Sequence, residues 1–114
     1  MASYSFKWNT IIYSEEKGVI TATVPLEGEA EGFGFVMGTL RAQGAGTPTG
    51  TYEVIVMNFP ESGDQVIARG SGDWQKVGQD KWTSQGTADL TNGDTIKADG
   101  VFDLVARTWS GNFD

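Results

Sequence analysis

The sequence predicts an all-β domain folded as an antiparallel up-and-down β-barrel of seven to eight strands. Three observations predict it. Val, Ile and Thr number 27 against only 4 Leu, and β-branched side chains suit a pleated strand and lose rotamer freedom in a helix. The 16 Gly are spread along the chain rather than pooled, which marks many turns and bulges instead of one linker. Nearly all breaks between strand patterns are short, and short connections make antiparallel neighbours. Closing the sheet into a barrel removes its edges. A sandwich is the alternative, with 43–49 as its crossing connection.

The first strand pattern runs from Ser3 to Tyr13, with Tyr4, Phe6, Trp8 and Ile12 on one face by alternation. A turn at Glu15–Gly18 leads to Val19–Glu27, where Ile20, Ala22, Val24 and Leu26 alternate with polar residues. Pro25, late in that strand, suggests an edge or a bulge. Gly28–Gly32 reads as an acidic connection, and Phe33–Ala42 as a third strand whose Gly34 and Gly38 imply a bend or a close backbone approach. After the loop Gln43–Thr49 comes Gly50–Phe59, the most hydrophobic strand. Pro60–Gly63 is a turn. Strand patterns follow at Asp64–Gln75, at Lys81–Thr91 and at Thr95–Trp109, the last long enough to bend at Gly100 and count twice.

Asn92-Gly93 is the sharpest local signal. Between two strand patterns it favours a two-residue type I′ hairpin, because both central residues need positive φ. That register sets Thr91 opposite Asp94, Gly86 opposite Asp99 and Trp82 opposite Asp103. One face then carries Trp82, Ser84, Gly86 and Ala88 against Asp103, Val101, Asp99 and Lys97. The other sets Thr83, Gln85, Thr87 and Asp89 against Phe102, Gly100, Ala98 and Ile96. Both faces are mixed. Polar groups in the interior, a second subunit on the outer face, or a bulge at Gly100 would each account for that. A Gly-x-x-acid-apolar pattern also recurs at Gly50, Gly70, Gly86 and Gly100, at spacings too uneven for a repeat.

The chain of 114 residues holds one domain, 1–114. With 8 basic and 15 acidic residues its net charge is −7, so nucleic acid and anionic membrane surfaces are not expected as partners. It has no Cys and no His. Disulfides, thiolate nucleophiles, Ser-His-Asp triads and imidazole catalysis are thereby excluded. The first residues lack a signal-peptide pattern and no apolar run reaches the length of a helical span, so a cytoplasmic protein is the expectation.

The segment Ala68-Arg69-Gly70-Ser71-Gly72-Asp73-Trp74, with Trp82 and Gly86, Asp99–Leu104, Arg107, Trp109 and Gly111, resembles the allene oxide cyclase-like barrels within the broader lipocalin-like (calycin) group. The match covers Asp64–Gly111, about two-fifths of the chain. It implies an eight-stranded antiparallel barrel with a cavity, often oligomeric, in a group that includes cyclases and isomerases of apolar metabolites. No catalytic residue of that group maps onto a position here.

Candidate chemistry must come from carboxylates, phenols and guanidinium groups. Asp103 and Arg107 are four apart on one strand pattern and so share a face. Facing a cavity, they would form a desolvated pair that orients a carbonyl, with Asp103 as acid or base; facing out, they are a surface pair. Glu53 stands on the Ile55–Met57–Phe59 face. Inward it would be a carboxylate of raised pKa suited to acid–base work; outward it is merely solvated. Trp74, Trp82, Trp109 and Tyr52 are candidates to line a pocket for a flat or apolar ligand, or else to fill the core and an oligomer interface. Glu27, Glu29 and Glu31 lack the arrangement of a calcium loop and read as a solvated loop. Gly44-Ala45-Gly46 makes no phosphate-binding pattern. No cofactor or metal is expected.

These residues support a small-molecule-cavity barrel, with a cofactor-independent cyclase or isomerase of an apolar metabolite as one reading. A non-catalytic ligand-binding barrel is another, and a lectin-like or interaction module using exposed Trp is the third. A homo-oligomer is expected, because so small a domain gains from burying a mixed sheet face.

Overall fold

The computed structural model describes residues 1–114. It contains no helix and nine strands: β1 (Ala2–Lys7), β2 (Ile12–Glu16), β3 (Val19–Ala30), β4 (Gly34–Gln43), β5 (Thr49–Asn58), β6 (Ile67–Gly78), β7 (Lys81–Leu90), β8 (Thr95–Asp103) and β9 (Thr108–Phe113). From β2 to β9 each strand pairs antiparallel with the next, β9 pairs with β1, and β1 pairs with β3. The sheet is therefore a closed up-and-down barrel. β1 and β2 lie end to end along β3, so nine strands make eight staves.

The break between β1 and β2 corrects the expectation of one strand over Ser3–Tyr13. Residues 8–11 stand opposite 24–26, and the register slips by one residue across the gap. Pro25 lies in that stretch of β3 and has no N–H to give to the missing ladder. The slip turns Ile11 toward the barrel and leaves Ile12 exposed, so Ile12 does not share the face of Tyr4, Phe6 and Trp8. Arg107 closes the gap: its carbonyl accepts from Trp8 N at 3.1 Å, and its Nη1 donates to Asn9 O at 2.9 Å.

Two turns also differ from expectation. Lys17 and Gly18 both have positive φ (52° and 82°), so the type I′ hairpin is β2–β3. At Asn92-Gly93 only Gly93 is left-handed. Gly93 N donates to Leu90 O and Leu90 N to Asp94 O, a three-residue loop ending in a glycine bulge. That extra residue shifts β7–β8 by one: Trp82 faces Phe102 and Gly86 faces Ala98. The final strand pattern divides at 104–107 and not at Gly100. The acidic connection is shorter than expected, since β3 runs to Ala30, and β6 begins at Ile67 instead of Asp64.

With the register so set, the faces separate. Trp82, Ser84, Leu90, Ala98, Gly100 and Phe102 turn inward, and Thr83, Gln85, Thr87, Lys97 and Asp99 belong to the opposite face. A one-residue slip exchanges the two faces of a strand, so the mixed character came from the hairpin register alone. Inside, β3–β5 contribute Val24, Leu26, Val36, Leu40, Val54 and Val56. Val24 and Leu26 are 2% exposed, and burying each is worth about 1.5–3 kcal/mol.

Candidate functional site

Three rings cross the barrel at mid-height. Trp109 on β9 meets Tyr4 on β1 and Tyr52 on β5 edge-on, with centroids 5.5 and 5.7 Å apart. Tyr4 extends over β9 to β8, and Tyr52 over β6 to β7, because each meets a glycine there. A Cβ on Gly86 would strike the Tyr52 hydroxyl, and one on Gly100 the Tyr4 hydroxyl. Two polar atoms of this layer have protein partners. Trp109 Nε1 donates to Ser84 Oγ at 3.0 Å and Tyr4 Oη to Asp99 O at 2.9 Å.

The layer divides the interior into two cavities. One, of about 100 Å³, lies towards the chain termini among Phe6, Val36, Val56, Leu90, Ile96 and Phe113. Asn58 stands at that end, donating to Phe33 O and accepting from Val66 N, and so ties two loops across it. The other, of about 170 Å³, lies towards the β4–β5 and β8–β9 turns, with exposed Tyr13 and Leu104 at its edge. Ile11, Val24, Leu40, Tyr52, Trp74, Trp82, Phe102 and Trp109 wall it. No carboxylate, amine or guanidinium lines either cavity. Trp74 Nε1 is occupied by Gln43 O and Thr51 O. Trp8, stacked 4.8 Å from Phe102, keeps a buried indole N–H with no protein partner.

The aromatic candidates come together: Tyr52, Trp74, Trp82 and Trp109 all line the larger cavity. Trp8, Trp74 and Trp109 are buried and Trp82 half-buried, so no exposed indole offers a stacking platform for a sugar at the surface. The three charged candidates do not join them. Glu53 points outward, exposed, between Arg41 and Ser71 in the ladder. Asp103 caps the β8–β9 turn, its Oδ1 accepting from Val105 N and Ala106 N at 2.9 and 3.0 Å. Its Oδ2 lies 4.0 Å from Lys81 Nζ. Arg107 is the left-handed last residue of that turn (φ 57°), with its guanidinium 5.8 Å from the Trp8 ring. Asp103 and Arg107 are therefore on opposite sides of a turn and not two pleats apart on one strand. Both have structural partners.

The ionisable groups at the centre are phenols. Burial pushes Tyr4 far above its ordinary value, Tyr52 and Asp99 add to this, and Ser84 opposes it. Burial, with the charge of Asp73 second, pushes Tyr52 up to about 12. Both stay protonated at neutral pH, so they are hydrogen-bond donors and not bases. Sequence reasoning did not single out Leu40, Ala42 or Ser84 as site residues, although alternation from Trp82 places Ser84 on the same face. Ile11 was hidden by the unrecognised slip.

Compared with known proteins, the chain matches no family model, no curated protein and no solved structure.

Proposed function

We propose that the protein is a non-catalytic binder of one small, uncharged, apolar ring-sized molecule, held in the larger cavity. The observation that supports this is a space of about 170 Å³ whose wall carries no carboxylate, amine or guanidinium. An engineered apolar cavity of about 150 Å³ is known to stay dry and take up benzene, so the volume suits a single ring. It falls short of the roughly 300 Å³ typical of drug-sized ligand pockets. An apolar wall penalises any charged ligand, because nothing there repays the lost hydration. A cyclase or isomerase needs an acid–base group at the reacting atom. Asp103, Arg107 and Glu53 stand away from the cavity, and the phenols are held protonated. Binding without turnover is the reading that fits.

Trp74, Trp82 and Trp109 in the wall make their fluorescence the natural readout. Titration with benzene or indole should give a saturable change and raise the melting temperature, as any ligand of the native state alone must. Ala42→Leu, which adds carbon inside the same cavity, should abolish both effects while the β circular dichroism persists. Absence of saturation with every uncharged ring, or equal binding by Ala42→Leu, would overturn the reading.

A further inference from the structure

We propose that the ring held in the larger cavity carries one neutral hydrogen-bond acceptor, such as a ketone oxygen, and that Tyr52 recognises it by donating its phenol O–H. This rests on that cavity being a binding site and adds the chemistry of its guest. One hydroxyl is left over at the centre of the barrel. Trp109 Nε1 donates to Ser84 Oγ and Tyr4 Oη to Asp99 O, whereas Tyr52 Oη makes no hydrogen bond within the fold. Tyr52 is only 6% exposed, so bulk water does not serve it. Nor is the hydroxyl sealed in packing. Trp8 Nε1 is the only fully enclosed side-chain polar atom without a partner, so Tyr52 Oη borders open space inside the barrel. Buried polar groups are nearly always paired, and ligand pockets fix orientation with a few polar groups in an apolar wall.

Position selects the larger cavity. The Tyr52 ring lines both cavities and partitions them. Its hydroxyl lies over Gly86 of β7, where a Cβ would come within 2.4 Å of it. Along the same face of β7, Ser84 follows on one side and Ala88 on the other. Ser84 walls the larger cavity and Ala88 the smaller. At about 170 against 100 Å³, the larger cavity is the one with room for a ring. It is also the one whose wall sets a second polar side chain beside the hydroxyl. Ile11, Val24 and Leu40 supply an apolar surface for the rest of the guest.

The chemistry of the hydroxyl selects the class. Burial pushes the Tyr52 phenol up to about 12, so it keeps its proton at neutral pH. Delocalisation of the oxygen lone pair into the ring makes a phenol a stronger donor than acceptor. A carboxylate guest would bring a full charge into a wall with no cation to meet it. A neutral acceptor on an otherwise apolar ring fits both the donor and the wall.

Cyclohexane and cyclohexanone differ by the acceptor alone. Dissociation constants for each should be measured by calorimetry on the parent and on Tyr52→Phe, with circular dichroism to establish that the variant is folded. Tyr52→Phe should weaken cyclohexanone about tenfold or more, since it leaves a buried acceptor unmet, and should leave cyclohexane nearly unchanged. Ala42→Leu should abolish binding of both. In the infrared, the C=O stretch of bound cyclohexanone should lie below its position in alkane solution, because a hydrogen bond weakens the carbonyl, and should return to that position in Tyr52→Phe. Equal effects of Tyr52→Phe on the two guests, or a bound carbonyl stretching as it does in alkane, would overturn the acceptor proposal while the cavity reading stands. Cyclohexanone binding that survives Ala42→Leu would overturn it too, by placing the guest outside the larger cavity. Failure of both rings to bind the parent would end the cavity reading and this proposal with it.

Discussion

On the β3–β5 side of the barrel the inward positions carry Val24, Leu26, Val36, Leu40, Val54 and Val56. On the β6–β9 side, Gly86 and Gly100 lie so close under the Tyr52 and Tyr4 hydroxyls that a Cβ would collide, whereas the close neighbours of Gly72 and Gly111 are backbone, as are those of Gly28 and Gly38 on β3 and β4. The first wall fills space with its own branched side chains. The second is bare at Gly100 and Gly86, and Tyr4 and Tyr52, each two staves away along the sheet, lie over those positions. An eight-stave barrel has an interior just wide enough for side chains to fill. Here one wall of aliphatic groups and three long rings fill its middle, so the remaining space is two end cavities and not one roomy bore. A glycine in a strand interior ordinarily weakens it. Gly86 and Gly100 offset that loss through the tyrosine contacts they permit.

The sharpest way to break this division is to give the bare wall a side chain. Gly111→Ala puts a Cβ into the Asp99 carbonyl oxygen and 2.6 Å from Gly100 Cα, both backbone atoms that cannot swing away. A loss of at least about 3 kcal/mol is expected, read from the urea midpoint, and a loss below about 1 kcal/mol would show that the wall has room. The opposite test empties the filled wall. Leu26→Ala should cost about 2–5 kcal/mol by removing buried methyl groups and leaving a void. Urea unfolding with an unchanged m-value would assign that loss to the native state.

The ring layer between the walls gives a pH-dependent signature. An unfolded tyrosine ionises near 10, whereas Tyr52 in the fold is pushed up to about 12. Folding therefore favours the protonated phenol. Its contribution is intact below pH 10 and is lost as the pH rises from 10 to about 12, by about 2–3 kcal/mol. Tyr4 shifts in the same direction. Urea midpoints measured up that range should fall steeply, and Tyr52→Phe should flatten the fall.

The smallest effect is expected outside both walls. Glu53→Gln changes an exposed side chain away from the cavities and should alter stability by no more than about 0.5 kcal/mol, with ring binding unchanged. A binding loss would return Glu53 to the site. Asp103→Ala, by contrast, removes two turn hydrogen bonds and should cost about 1 kcal/mol, again without changing ring affinity.

Much of this architecture is written locally. β-branched runs punctuated by glycine set the number of staves, and alternation grouped Tyr4, Phe6 and Trp8, then Ile20, Ala22, Val24 and Leu26, onto common faces. The four aromatic residues Tyr52, Trp74, Trp82 and Trp109 were recognisable as pocket residues because large rings in so small a chain must meet somewhere inside. The charged candidates were not decidable in that way. A strand presents two faces, and Glu53 belongs to one or the other according to which of them the barrel closes upon.

What the sequence by itself determined is therefore the class, an up-and-down barrel of about eight staves, and the grouping of residues by parity within each unbroken strand, since those follow from period-two geometry. The tertiary structure decided which parity points inward, and it did so through single-residue events. Asn92-Gly93 took a three-residue loop in place of a type I′ turn, and that one residue re-sorted the whole β7–β8 hairpin. The break at 8–11 moved Ile11 into the cavity and Ile12 out of it. The turn at 104–107 separated Asp103 from Arg107 and left each to brace the fold. Local patterns cannot set these registers, because a strand reads the same shifted by one residue until burial across the barrel penalises every wrong-facing side chain at once.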